Sequence, residues 1–148
     1  MNIRILTPLA VALTLFLASP ADAGLFTKTF KFKPDTTLEV GADIDGGVRL
    51  DTVRFKFPAT TEGGKLTRAA GLVKADVAVS NLGTSARTIG VAIALLDDDG
   101  RLLAVGSGGT KLFPLRKERQ IVYTLVFDGV NSEATKATVF KISLEPKP

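Results

Sequence analysis

The chain lacks three residue types on which much enzyme and cofactor chemistry depends: its 148 residues include no cysteine, no histidine and no tryptophan. Without histidine there is no Ser-His-Asp or Cys-His nucleophile pair and no histidine ligand for zinc or haem. Without cysteine there is no disulfide, no thiolate ligand and no cysteine-bound iron–sulfur cluster. We therefore expect a protein that is not an enzyme and that has no cofactor.

The first 23 residues have the three-part organisation of a secretory signal peptide. Arg4 precedes an apolar run over residues 5–17, and small residues follow, with Ala21 and Ala23 at the positions that a signal peptidase recognises. A transmembrane helix needs about 20 apolar residues, and this run is shorter. We predict cleavage after Ala23, a periplasmic or secreted product, and no membrane span in the mature chain. An uncleaved anchor helix is the alternative.

Residues 24–148 are predicted to form a single all-β domain. Apolar and polar residues alternate in short segments separated by turn-forming residues, which is typical of strands. Eight strands are predicted, over residues 26–33, 37–40, 48–57, 73–80, 89–95, 102–106, 121–127 and 140–144. Short strands without room for crossover helices favour an antiparallel immunoglobulin-like β-sandwich of seven or eight strands, with a small closed barrel as the alternative. Residues 24–36 are interpreted as either a first strand or a mobile arm.

The apolar pattern of the third predicted strand changes phase part-way along. Val48 and Leu50 belong to one phase, whereas Val53 and Phe55 belong to the other. A shift of one residue turns a set of side chains to the opposite face of a sheet. We therefore predict a bulge or bend near Asp51, which would keep both sets in the core.

Two segments between the predicted strands are interpreted as irregular. Residues 58–71 have mixed polar character and are predicted to be a loop. Residues 106–111 (GSGGTK) superficially resemble a phosphate-binding loop, but they lack its Gly-Lys-Ser/Thr ending and no helix follows. We therefore predict a bulge or flexible turn at a strand end there.

Residues 72–144 resemble the FxLYD type of small extracytoplasmic β-sandwich domain. Residues 77–81 (VAVSN) match its valine-rich strand that ends in Asn, and residues 93–97 (IALLD) stand where its signature would be. Gly100 follows, and Phe113 with Pro114 precedes the later strand. Only the Leu and the Asp of the signature are present. The resemblance implies an adhesive, spacer or recognition module with no catalytic residues.

Two Asp-rich segments are weak candidates for binding a hard cation. Asp43 and Asp45 would share one face of an extended strand, and carboxylate oxygens are the ligands that Ca²⁺ prefers. Residues 97–100 (DDDG) are more typical of an exposed hairpin turn, because Asp bonds its own backbone and Gly tolerates positive φ. Turns are favoured at both places, so no metal site is predicted.

Cationic side chains alternate with apolar residues in the first and third predicted strands. These side chains are Lys31 and Lys33 in the first strand and Arg54 and Lys56 in the third. If the two strands pair, like charges lie close together without acidic neighbours, a cost that a polyanionic partner such as envelope phosphate or acidic polysaccharide would offset. The pattern favours a solvated face or a protected sheet edge, with polyanion binding as the functional alternative. Nucleic acid is not expected as a partner, because no exposed aromatic platform accompanies the charges.

Two predicted strands are apolar on the side that faces away from the core as well. The residues concerned are Ala92 and Ala94 on one strand and Val122, Thr124 and Val126 on the other. Because a sheet normally keeps one face wet, we predict that this patch is covered by residues 24–36 or by a second protein chain. The alternative is that these small side chains are exposed singly.

The function expected from the sequence is that of an exported, non-enzymatic β-sandwich module. It would bind a protein or an anionic cell-envelope component through its surface, or serve as a structural component. One alternative is a carrier of a small apolar ligand, which requires an internal cavity of about 300 Å³ or more. A polyanion-binding protein and a hydrolase with an Asp or Glu base are the others.

Overall fold

The structure, a computed structural model, describes residues 24–57, 59–62, 65–68, 73–127, 134 and 136–148. The signal peptide predicted over residues 1–23 lies outside these ranges. Within them, no helix has the length and apolar character needed to cross a membrane.

Ten β-strands form in the described part of the chain. They are β1 (Phe26–Lys31), β2 (Thr37–Ile44), β3 (Val48–Lys56), β4 (Ala59–Glu62), β5 (Lys65–Arg68), β6 (Val73–Asn81), β7 (Thr88–Leu96), β8 (Leu102–Gly109), β9 (Arg119–Phe127) and β10 (Val139–Lys147). The first sheet has the strand order β1-β10-β7-β8 and the second the order β2-β3-β6-β9. Every strand pair is antiparallel. The all-β prediction is confirmed.

The hairpin of β4 and β5 corrects the prediction of a loop over residues 58–71. The two strands pair only with each other and belong to neither large sheet. Their sequences, ATTE and KLTR, contain too few apolar residues to show an alternation. Periodicity therefore gave no sign of these strands.

The two large sheets enclose one apolar core, in the manner of a β-sandwich. Alternate residues of β3, β6, β7, β9 and β10 point into this core, as the sequence alternation predicts. Phe55 of the second sheet and Phe140 of the first meet across it with ring centroids 4.9 Å apart. Burying a side chain of this size stabilises the fold by about 2–3 kcal/mol relative to leaving it exposed.

The predicted bulge in β3 is confirmed. The register between β3 and β6 shifts at Asp51, which has no partner in the ladder. Val48 and Leu50 before the shift and Val53 and Phe55 after it are all buried. The irregularity thus brings both apolar phases of one strand to the same core. β2 has a matching register shift against the same part of β3.

Asp51 links three strands on the outer face of the second sheet. Its carboxylate accepts a hydrogen bond of 2.6 Å from the Ser80 hydroxyl on β6. It accepts a second one, of 2.8 Å, from the Gln120 side-chain amide on β9. The bulge therefore places a charged acceptor where two neighbouring strands supply donors, and charge-assisted bonds of this kind are stronger than neutral ones.

The glycines at residues 106–109 lie inside β8, not in a turn at its end. A Cβ on Gly106 would lie 3.1 Å from the Phe127 ring of β9. A Cβ on Gly108 would lie 2.6 Å from the Leu125 side chain of the same strand. The prediction of a turn was wrong, because these glycines serve a close approach between the edges of the two sheets.

Candidate functional site

An apolar cleft lies between the two sheets, at the side of the molecule where β1 and β2 are the edge strands. Its volume is about 240 Å³. The lining residues are Phe30 and Lys31 of β1, Lys33 and Thr36 of the following segment, Thr37 and Leu38 of β2, Val53 and Phe55 of β3, and Phe140 of β10. We call this feature the edge cleft.

Aromatic rings from both sheets form much of the wall of the edge cleft. The ring of Phe30 is stacked on that of Phe140, with centroids 5.4 Å apart. Phe55 and Phe140 are themselves almost fully buried, and Leu38 packs against the same core. Because these walls belong to a close-packed interior, the cleft is a preformed feature of the fold.

The chain crosses from the first sheet to the second beside the edge cleft, and Lys33 and Thr36 of this crossing line it. Pro34 forms an isolated bridge with Phe55. The backbone N–H of Asp35 donates a 3.0 Å hydrogen bond to the carbonyl oxygen of Phe55, and Asp35 has a φ of +53°. Asp tolerates this left-handed conformation better than most residues do. The turn therefore fixes the segment that carries Lys33 against β3.

Two of the four predicted anion-binding residues, Lys31 and Lys33, line the edge cleft. Both are exposed, and neither has an ion-pair partner among the residues that the structure describes. A third cation is close by, since Lys28 Nζ lies 5.4 Å from the centroid of the Phe30 ring. The rim of the cleft is thus positively charged, whereas its wall is apolar.

The other two, Arg54 and Lys56, lie apart from this cleft on the outer face of the second sheet. The first and third strands do not pair, because β1 pairs with β10 and β3 pairs with β2 and β6. An acidic neighbour is also present, since Lys56 forms an ion pair with Asp76. Burial raises the pKa of Asp76, but hydrogen bonds from Lys56 and Thr124 and the positive charges of Lys56 and Arg54 outweigh it, so that the pKa is lowered. The premise of a four-cation array is therefore wrong.

The predicted apolar contact patch is divided between the two sheets. Ala92 and Ala94 lie on β7, on the outer face of the first sheet, where they are half-buried. Val122, Thr124 and Val126 lie on β9, on the outer face of the second sheet, and all three are exposed. Residues 26–31 cover neither face, because they extend the first sheet at its edge as β1.

The weak metal candidates Asp43 and Asp45 lie at a hairpin turn. Asp43 is the penultimate residue of β2, and its exposed carboxylate lies 3.9 Å from Arg49 Nε. Asp45 begins the 3₁₀ turn Asp45–Gly47, so the two carboxylates do not share an extended face. Across the described ranges, no group of three or more acidic side chains could hold a metal ion.

The sequence predicts the side chains of the edge cleft but not the cleft itself. Phe55 is predicted to be a core residue and is buried, and Phe30 of the first predicted strand packs against the same core. The cleft arises because two consecutive strands, β1 and β2, occupy the edges of different sheets. Periodicity gives the phase of a strand but not its neighbours, so no local signal could have shown this.

No family model matches the chain, and no curated protein sequence matches it. The resemblance to the FxLYD type of domain thus remains a prediction from the residues quoted above.

Proposed function

We propose that the chain is an exported, non-enzymatic module of immunoglobulin-like sandwich type that binds an anionic, partly apolar group of a cell-envelope partner at the edge cleft. The observation that supports this function is the combination of an apolar wall with rim lysines, Lys31 and Lys33, that have no ion-pair partner in the described part of the chain. The signal-like residues 1–23 support export. The arrangement of two four-stranded antiparallel sheets supports the immunoglobulin-like architecture.

The volume of the edge cleft indicates the size of the group that it accepts. An apolar cavity of about 150 Å³ is large enough to bind benzene. Pockets for drug-sized ligands measure about 300–1,000 Å³. With about 240 Å³, the cleft fits an aromatic ring or a short alkyl segment that belongs to a larger partner. This favours contact at a surface over enclosure of a whole ligand by a carrier.

The expected affinity for an isolated group is modest. Burial of about 100 Å² of apolar surface contributes roughly 2.5 kcal/mol, at about 25 cal/mol per Å². An exposed lysine contributes up to about 1 kcal/mol to an ion pair. Such contributions correspond to a dissociation constant on the order of 1 mM. A partner with further contacts would bind more tightly.

Titration with octanoate tests the proposed function. We expect the purified protein to bind octanoate, and to bind octylammonium, which has the same alkyl chain and the opposite charge, more weakly. The double variant Lys31→Gln/Lys33→Gln should weaken octanoate binding several-fold. The matched control Lys74→Gln/Lys141→Gln removes two exposed lysines from the outer faces of the sheets and should bind normally. Equal losses in both double variants would contradict a localised site.

A second pair of variants tests the apolar wall. Leu38→Phe adds volume in the cleft and should weaken octanoate binding, whereas Val122→Phe on an outer face should not. Unfolding midpoints of both variants give the control for stability. If Leu38→Phe binds octanoate as the wild type does, the ligand lies elsewhere.

Export is tested separately by the N-terminal sequence of the protein recovered from the periplasm or the medium. We expect Gly24 as the first residue. Recovery of the whole chain in the cytoplasm would contradict this part of the proposal.

A further inference from the structure

The loop between β8 and β9, residues 110–118, carries the two most exposed large apolar side chains in the described part of the chain. Leu112 is 86% exposed and Phe113 is 79% exposed. In the loop between β6 and β7, Leu82 is also exposed, at 59%. Consecutive side chains with this exposure project from the surface into solvent. Contiguous exposed apolar surface on a folded protein marks an interaction site.

The two loops are fixed to each other, so the apolar tips stand on an ordered base. Arg87 and Leu115 exchange two backbone hydrogen bonds, of 2.9 and 2.8 Å. The side-chain amide of Asn81 donates hydrogen bonds to the carbonyl oxygens of Ser85 and Leu115. The side chain of Leu115 is buried, in contrast to the exposed residues before it. The loop thus has an inward anchor and outward apolar tips.

Cations flank the apolar tips. The β8–β9 loop and the first residue of β9 contain four of them, Lys111, Arg116, Lys117 and Arg119, against a single acid, Glu118. Each of the four is exposed, and none is ion-paired within the described residues. A cluster of one sign next to exposed apolar side chains is complementary to a surface that is negatively charged outside and apolar beneath.

We propose that this end of the sandwich docks on an anionic lipid bilayer, with Leu112 and Phe113 entering the boundary between headgroups and acyl chains. The flanking cations would contact the lipid phosphates. A projecting pair of apolar side chains suits insertion into a fluid layer, whereas a protein partner would have to supply a groove that fits it. The proposal is independent of the edge cleft, since no residue of this loop lines that cleft.

Co-sedimentation with vesicles tests the docking surface. We expect the purified protein to sediment with equimolar phosphatidylglycerol and phosphatidylcholine and to remain in solution with phosphatidylcholine alone. Leu112→Ser/Phe113→Ser should reduce the partition coefficient at least tenfold. Arg116→Gln/Lys117→Gln should reduce it by about tenfold and weaken its dependence on salt. The control Leu102→Ser/Val105→Ser removes two other exposed apolar side chains and should not change it.

Because the chain has no tryptophan, the fluorescence of an introduced tryptophan gives a second readout, in a variant that is still expected to bind the vesicles. The variant Phe113→Trp places a single fluorophore at the tip, and its emission should shift to the blue when anionic vesicles are added. In the control variant Val105→Trp the emission should stay constant. The proposal is overturned if the wild type does not sediment with anionic vesicles, or if the emission of the two tryptophan variants changes alike. Either result excludes docking on a bilayer, even if the loop is then found to bind a protein partner.

Discussion

Replacing Asn81 is expected to destabilise the fold more than any other polar substitution that we consider. Asn81 is the buried polar side chain of the described core, with no exposed surface. Its amide nitrogen donates bonds of 2.8 Å to the carbonyl oxygen of Ser85 and 2.9 Å to that of Leu115. Its side-chain oxygen accepts a 3.0 Å bond from the backbone N–H of Gly83. A single side chain therefore satisfies backbone groups of two loops.

The magnitude follows from these three bonds. A hydrogen bond contributes about 1 kcal/mol net to stability, and a buried group left without a partner costs at least as much. The variant Asn81→Ala should therefore lose about 3 kcal/mol of unfolding free energy. With an m-value of about 2 kcal/mol per M, the urea midpoint should fall by about 1.5 M.

Urea unfolding followed by circular dichroism measures this loss. The control is Thr27→Ala, which removes one exposed hydrogen bond to Ser143 and should change the unfolding free energy by less than about 0.5 kcal/mol. Asn81→Asp should be destabilising as well, because a carboxylate would face two carbonyl oxygens. A loss below about 1 kcal/mol for Asn81→Ala would refute the conclusion that the amide is buried and fully bonded.

Three further predictions concern the backbone and two titrating groups. Gly109→Ala should destabilise the fold by a few kcal/mol in the same assay, because φ of Gly109 is +144° and a Cβ would collide with a carbonyl oxygen of the adjacent β7. An unchanged unfolding free energy would contradict the geometry of β8. Burial raises the pKa of Asp76, but its bonds and charged neighbours, Lys56 first, lower it further than burial raises it. The carboxylate of Asp76 thus stabilises the fold at pH values above the pKa of about 3.8 that it has in the unfolded chain, and this effect is lost as the pH falls through its pKa in the folded protein. The difference in unfolding free energy between the wild type and Asp76→Asn should therefore shrink in acid. A difference that stays constant with pH would be evidence against the ion pair. Burial raises the pKa of Tyr123 against an opposing hydrogen bond with Thr110. The chain has one tyrosine, so its alkaline absorbance titration reports on Tyr123 alone, and the midpoint should lie above 10.0 in the native protein and near 10.0 in urea. The unfolding free energy should fall as the pH rises through the native midpoint. Equal midpoints in the native and unfolded protein would contradict burial of the ring.

Strand content and phase could be predicted from the sequence where alternation is strong. In β7, Ile89, Val91, Ile93 and Leu95 are all buried, as their spacing indicates. The phase change around Asp51 was sufficient to predict a bulge, because a buried face tolerates no slip of register.

Strand neighbours could not be predicted in this way. The interpretation of Lys31 and Arg54 as one cationic surface depended on pairing between β1 and β3, which belong to different sheets. Ala92 and Val122 were likewise assigned to one patch although they lie on separate faces. Each strand carries its own phase, but the choice of partners depends on contacts between residues far apart in sequence, which local patterns do not encode.

A ¹H–¹⁵N NMR titration of the assigned, purified protein with octanoate tests binding at the edge cleft most directly. We expect saturable shifts of the backbone amides of Lys31, Lys33 and Leu38 around the edge cleft, at millimolar octanoate. The amides of Ala94 and Val122 on the outer faces should not move. Shifts centred on either outer face, or no saturable shift around the cleft, would contradict the claim that this protein binds through the cleft between its two sheet edges.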